Sequence, residues 1–219
     1  MENLTGKKFI VSYSGGKDSV LALNRAISTG LIPLYMMTVY RTDAERSWWH
    51  GLSEELLMKV SESISIPLKI VKTSGDDYTL NFEKALTEAK NQGAEVVVFG
   101  DIDIPDHLDW CSERCINTGL IPYFPLGNED RKKLVYEFID LGFFAIIKIV
   151  DTTRLDEKFL GQILTREIVD EIEAYGADAC GEYGEYHTFV FDGPLFTEKI
   201  DFNIAERFKD GNSAIIHIV

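Results

Sequence analysis

The stretch Ser14-Gly15-Gly16-Lys17-Asp18-Ser19 constrains this chain more than any other. It follows the run Lys8-Phe9-Ile10-Val11-Ser12 and precedes Val20-Leu21-Ala22-Leu23. The first run, β-branched and aromatic, predicts a strand, and the second opens a helical pattern. Adjacent glycines at a strand-to-helix turn let the backbone bend sharply and approach a ligand. The first N–H groups of the helix have no partner inside it. Those donors and the positive end of the helix dipole favour an anion, typically phosphate. Lys17 adds a mobile cation, Ser14 and Ser19 add hydroxyls, and Asp18 can hold Mg2+. The plainer alternative is a Gly-Gly turn with a serine N-cap.

The spacing around this turn predicts strands at Ile10–Ser12, Ile32–Tyr40, Pro67–Lys72 and Val96–Phe99. Helices are expected at Lys17–Thr29, Leu52–Ser65 and Asp76–Gln92, the first closed by Gly30. Strands alternating with helices argue for an α/β fold, a doubly wound parallel sheet with right-handed crossovers. Ligands of such sheets bind beyond the carboxyl ends of the strands, near the switch point. The 13–19 loop, Val39 and Tyr40 after the second strand, and Gly100 and Asp101 after the fourth should gather there. Adenine is expected against main-chain groups of Ser12, Tyr13 and Val39.

Past residue 104 the pattern changes. Helices are predicted at Pro105–Thr118, Glu129–Leu141 and Gln162–Tyr175. Extended segments are predicted at Ile121–Leu126, Phe143–Val150 and Thr188–Phe191. With no Gly/Ser linker in view, a packed junction is expected, dividing a nucleotide-binding domain, residues 1–122, from a smaller α/β domain, residues 123–219. The second informative stretch is Cys180-Gly181-Glu182-Tyr183-Gly184-Glu185-Tyr186-His187-Thr188. It places two carboxylates, two phenols and an imidazole within a glycine-rich loop. Such a loop can hold an amine-bearing substrate or position ammonia; read from composition alone, it is equally an acidic turn entering a strand.

Charge and cysteine content narrow the partners. Residues 1–104 carry 11 Lys+Arg and 14 Asp+Glu, and residues 105–219 carry 11 and 22, so the net −14 is concentrated in the second half. A polyanion would be repelled there, which makes nucleic acid an unexpected partner. The triplet Arg131-Lys132-Lys133 reads as a solvated helix face. The three cysteines, Cys111, Cys115 and Cys180, read as reduced thiols with core or boundary roles. No signal-peptide pattern opens the chain and no apolar run approaches a bilayer span. A cytoplasmic protein without membrane attachment is expected.

Ser-Gly-Gly-x-Asp-Ser resembles the pyrophosphate loop of ATP pyrophosphatases of the adenine nucleotide alpha hydrolase type, which cleave ATP between the α- and β-phosphates. The whole chain looks like the diphthine–ammonia ligase, or diphthamide synthetase, family. The likeness runs through Gly100-Asp101, Pro122–Leu126, Ile146–Val150 and Leu160-Gly161 to the block Cys180–Phe196. That block is the more specific signature, since many amide ligases and tRNA-modifying enzymes share the loop. The resemblance implies an ATP-dependent ligase that adenylates a carboxylate and lets ammonia displace AMP. The family's acceptor is diphthine, a modified histidine on elongation factor 2. The likeness further implies pyrophosphate binding by Ser14, Gly15, Gly16, Lys17 and Ser19, with Gly100 nearby and Mg2+ near Asp18. It gives substrate-side or catalytic roles to Asp101, Glu182 and Glu185 beside Lys17 and Asp18. A homodimer is also in keeping with it.

This sequence departs from the family pattern in places. Gly100-Asp101-Ile102-Asp103-Ile104-Pro105-Asp106-His107 stands where the family usually has Ser-Asp-Tyr-Gln and two arginines. Tyr183 replaces a glycine and His187 an acid. These changes sit on the substrate side, so a branch with another acceptor is one reading. Two alternatives are a tRNA-modifying ATP pyrophosphatase and a nucleotide-sensing module that binds ATP without turnover. Finally, Trp48, Trp49 and His50 end a polar loop that is expected to close over the nucleotide, the alternative being simple packing of the two tryptophans.

Overall fold

The structure, a computed structural model, describes residues 3–42, 46–47 and 50–219. Trp48 and Trp49 of the expected closing loop lie outside the described residues, whereas His50 at its end is described.

The N-terminal half is built on parallel strands β1 (Lys8–Ser12), β2 (Ile32–Arg41), β4 (Leu68–Thr73), β5 (Val96–Val98) and β6 (Ile121–Tyr123). The parallel pairings β4 to β2, β2 to β1, β1 to β5 and β5 to β6 give the spatial order β4-β2-β1-β5-β6. The chain therefore moves outward one way from β1 and then returns to start again on its other side, which puts the switch point between β1 and β5. A two-residue strand, β3 (Arg46–Ser47), adds an antiparallel pairing at Tyr40 and Arg41 of β2.

The central strands β1 and β5 are buried on both faces. Phe9 and Val11 of β1 enter one core while Ile10 between them enters the other, the period of two expected of a strand. Helices α1 (Lys17–Ser28) and α2 (Glu54–Ile64) cover the first face through residues such as Val20, Leu23, Leu57 and Val60. Helices α3 (Tyr78–Asn91) and α4 (Pro105–Thr118) cover the second through Phe82, Leu86, Cys111 and Cys115. The two cysteines of α4 are thus core residues. Cys180 is buried as well.

The second half carries α5 (Arg131–Asp140), α6 (Arg166–Tyr175) and strands β7 (Phe144–Asp151), β8 (Tyr186–Asp192), β9 (Ile204–Asp210) and β10 (Ser213–Ile218). The four strands form an antiparallel sheet in the order β8-β7-β10-β9. Its apolar residues, Ala145, Ile147, Phe189 and Ile216 among them, share one continuous core with α1 and α2. The hairpin β9–β10 has no counterpart in the expected elements, and β8 starts earlier than expected. Residue 176 closes α6 as expected, with Gly176 at φ +94.

Side-chain caps mark several helix starts. Ser53, Asp130 and Thr165 accept N–H bonds at the heads of α2, α5 and α6. The head of α1 differs: its N-cap is Gly16, which offers no side chain. The motif's serines therefore do not cap α1, and the first helical N–H, that of Lys17, is taken by the Thr188 hydroxyl of β8 instead.

Candidate active site

A cavity of about 860 Å3 opens above the carboxyl ends of β1 and β5. The pyrophosphate-loop residues Ser14, Lys17, Asp18 and Ser19 line it together with Ser12, Gly100, Asp101 and Glu182. The switch point and the Cys180–Thr188 block thus meet.

The loop is held from both sides. Gly15 has φ +82, a conformation costly for other residues. A Cβ on Gly16 would lie 2.2 Å from the His50 ring, and one on Gly100 would lie 2.8 Å from the backbone of Asp18 and Ser19. Glycine is required at both positions by contact. The Ser19 hydroxyl donates to the Gly16 carbonyl at 3.0 Å, and the Ser14 hydroxyl donates to Ser19 Oγ at 3.1 Å. Strand β8 locks on from the second sheet. The Val190 N–H donates to the Gly15 carbonyl at 2.9 Å, and the Lys17 N–H donates to the Thr188 hydroxyl at 3.0 Å.

Lys17 corrects one expectation. It is buried and fixed rather than mobile. Its Nζ lies 2.9 Å from Asp18 Oδ2, donates to the Cys180 carbonyl, and sits 5.1 Å from the centre of the Tyr186 ring. Burial opposes the charge, but Asp18, with Tyr186 and Cys180 adding to it, holds the pKa well above the ordinary lysine value. The cation therefore ties the loop to the C-terminal block while facing the cavity.

The two glutamates of that block part company. Glu182 lines the cavity, where burial and the neighbouring Asp18 and Asp101 push its pKa up. Asp101 is raised too, chiefly by burial. Glu185 turns away from the cavity instead. It is buried, and its carboxylate accepts N–H bonds from Tyr183 at 3.1 Å and Asp178 at 3.4 Å. The expected pair of cavity carboxylates is one carboxylate, Glu182, presented by a loop that Glu185 shapes.

The expected adenine contacts are also revised. Tyr13 already donates its N–H to Met37, and its carbonyl accepts the Thr38 hydroxyl at 2.6 Å. Val39 belongs to the core behind β2 and does not line the cavity. Ser12 does line it.

Three residues named in the sequence take up contacts that their spacing does not predict. His50 and His187 form an edge-to-face pair with centroids 5.0 Å apart, and His50 Nδ1 lies 2.7 Å from the Thr188 carbonyl. Burial holds both rings neutral; for His187 the pKa falls to about 4, with Lys17 and Lys148 adding to the effect. Arg131 is no solvated surface charge. It bridges Asp103 and Asp178, stacks over Tyr183 at 4.6 Å, and accepts the Cys180 thiol on its carbonyl. Its position at the first turn of α5 joins the loop after β5 to the Cys180–Thr188 block. No periodicity or spacing signals such a role.

Family comparison agrees with this architecture. The diphthamide synthase N-terminal domain matches residues 7–122, and the diphthamide synthase C-terminal domain matches residues 130–219. Among curated proteins, the diphthine–ammonia ligase of Bos taurus is 35% identical, covering 88% of this chain and 82% of its own length. That of Homo sapiens is 33% identical, covering 93% and 83%. The Schizosaccharomyces pombe ligase is 25% identical over 96% of this chain, which spans 38% of that protein. A solved structure described as a predicted subunit of tRNA methyltransferase from Methanocaldococcus jannaschii aligns with TM-score 0.48 and 17% identity, covering 88% of this chain and all of that one. That last likeness is too slight to assign anything. Two adjoining domain matches that together span residues 7 to 219, and relatives more than 30% identical over most of their own length, lead to one conclusion: the chain belongs to the diphthamide synthase family.

Proposed function

We propose that this chain is an ATP-dependent ligase that joins ammonia to a carboxylate and forms AMP and pyrophosphate, with diphthine on elongation factor 2 as the acceptor. The observation that carries the reading is the meeting of the Ser14–Ser19 loop, at the head of α1, with the Glu182 loop across one cavity. In the first half-reaction an acceptor carboxylate oxygen attacks the α-phosphorus and pyrophosphate leaves. In the second, ammonia attacks the acyl carbon, AMP leaves with the bridging oxygen, and one proton is released. Splitting amide formation this way replaces one hard step by two easier ones.

The residues take these roles. Ser14, Ser19 and the Lys17 cation line the side assigned to the pyrophosphate, with Gly15 and Gly16 shaping the turn behind them, and the fixed cation would stabilise developing charge. Ser12 and Gly100 border the nucleotide. Among the described residues no group of three or more ligand-type side chains converges on a metal position. Magnesium in nucleotide sites commonly relies on one or two carboxylates and the phosphates themselves, so Asp18 suffices as its protein ligand. When bound, the ion neutralises phosphate charge. Glu182 and Asp101, whose affinity for a proton is raised by burial, suit the proton that ammonia sheds. Residues 1–122 would supply the nucleotide side and 123–219 the acceptor side. No described helix is long and apolar enough to cross a membrane. We assign the protein to the cytoplasm and leave a homodimer as a further expectation of the family.

Pyrophosphate release measured with ATP, ammonium and diphthine-bearing elongation factor 2, each omitted in turn, tests the proposal. Release should require all three. Release indifferent to acceptor and ammonium would exclude the ligase reading, and binding without release would favour a nucleotide sensor.

A further inference from the structure

Two carboxylates line the cavity without being fixed by their own side chains. Asp101 has two loose contacts, the Cys111 thiol at 3.9 Å and the His107 imidazole at 3.8 Å. Among the described residues, the Glu182 carboxylate takes part in no hydrogen bond or ion pair. Where each carboxylate stands therefore depends on the loop that carries it. A group that handles a proton works only when its support holds it to within about 0.5 Å.

Both loops are held by Arg131, which does not line the cavity itself. Its Nε donates to Asp103 Oδ2 at 3.1 Å and its Nη2 to Asp103 Oδ1 at 2.5 Å, a forked contact two residues beyond Asp101. Its Nη1 donates to Asp178 Oδ2 at 2.6 Å. The other oxygen of Asp178 accepts the Cys180 N–H at 2.7 Å and the Glu182 N–H at 3.4 Å. One planar guanidinium thus reaches the backbone of Glu182 through one aspartate and the loop of Asp101 through another. The Asn128 N–H, just ahead of α5, donates to the Ile102 carbonyl at 2.8 Å and ties the same two regions again. Joining the two halves of the fold does not need this arrangement. Arg25 of α1 already fastens α5 through Glu137 at 2.9 Å, and the two halves share one core.

We propose that Arg131 is a positioning residue of the reaction, which sets the spacing between Glu182 and Asp101 by holding their two loops on one rigid fork. This rests on the ligase reading, in which those carboxylates take the proton that ammonia sheds. A lysine at this position would keep the charge but could not fork to two carboxylates. Misplacing a reacting group by about 1 Å can cost up to a hundredfold in rate, even from a change remote from the chemistry.

The test uses the whole protein and measures AMP formation with ATP, ammonium and diphthine-bearing elongation factor 2. In Arg131→Met, kcat should fall about tenfold or more while KM for ATP stays within about twofold. Adding Arg131→Met to Glu182→Gln should cost less than about twofold further, because the carboxylate it positions is already gone. Arg131→Lys should recover little of the lost kcat. Asp103→Asn, which frees one loop, should lower kcat in the same way, and it carries the test if circular dichroism shows Arg131→Met unfolded. Independently of activity, amide hydrogen exchange in the Arg131 or Asp103 variant should quicken in the loop it frees, at Cys180 and Glu182 or at Asp101 and Ile102, while β1 and α1 exchange as in the parent protein. Full kcat in Arg131→Lys, an equal fall with and without Glu182, a raised KM for ATP at unchanged kcat, or unchanged exchange would each overturn the proposal. Exchange as expected in a protein that forms no AMP would sink the ligase reading alone. Ligation with unchanged kcat in the variants would sink the positioning role alone.

Discussion

Replacing Glu185 separates a carboxylate that builds the loop from one that faces the substrate. In Glu185→Ala the N–H groups of Tyr183 and Asp178 lose an acceptor in a buried place. A hydrogen bond to a charged group contributes about 1.5–3 kcal/mol, and the second contact is long, so the loss should total about 3 kcal/mol. For a chain of this size that lowers the melting temperature by roughly 6–12 °C. Glu182→Gln should behave oppositely. Glu182 is opposed by Asp18 and Asp101, so neutralising it removes repulsion and leaves the melting temperature unchanged or slightly higher. Its ligation should nonetheless fall by about a hundredfold, a typical contribution of a group that handles a proton. Differential scanning calorimetry and an AMP-formation assay on both variants give the comparison. A stable Glu185→Ala with full activity, or a Glu182→Gln that melts early and ligates normally, would refute the assignment.

Other expected outcomes follow from the same geometry. Lys17→Met should remove ATP-dependent AMP formation and cost about 2–3 kcal/mol by thermal melting, because Asp18 loses its partner and the loop its tie to Cys180. Gly16→Ala should cost about 1–3 kcal/mol through collision with the His50 ring, and adding His50→Ala should restore much of that loss in the same melt. His187 sets a pH dependence. Its folded pKa lies below the unfolded value, so the unfolded chain binds more protons between about pH 6.5 and 4. Stability is therefore full above that window and falls on acidification through it, by about 3 kcal/mol. Urea melts of His187→Asn across that range should show a flatter profile, whereas an unchanged slope would place the acid sensitivity elsewhere.

The nucleotide half of the fold was legible because its signals are local. Strand runs such as Val96-Val97-Val98 and helix stops such as Gly30 and Gly119 locate the elements to within a few residues. The site was partly legible for the same reason: the loop motif fixes a backbone, and a backbone fixes where Ser14–Ser19 must lie. What escaped depends on tertiary contact. Nothing in the spacing of Glu182 and Glu185 says that one carboxylate points to the cavity and the other folds under its own loop. The pinning of Lys17 needs Cys180 and Tyr186, more than 160 residues away. Arg131 looks like part of a basic triplet until Asp103 and Asp178 are seen on either side. The hairpin β9–β10 was recoverable: Asp210-Gly211 between extended runs is a turn signal, muted because β9 is an exposed edge strand with few apolar residues.

The central claim is that an acceptor carboxylate is adenylated in this cavity, and an isotope experiment tests it most directly. The acceptor's carboxylate is enriched in a heavy oxygen isotope, and the protein is supplied with ATP, magnesium and ammonium. Mass spectrometry of the AMP, pyrophosphate and any orthophosphate then locates the label. The account predicts one heavy oxygen in the phosphate of AMP for each amide formed, and none in pyrophosphate. Label in orthophosphate with ADP as co-product, or unlabelled AMP formed at the same rate without acceptor, would contradict it.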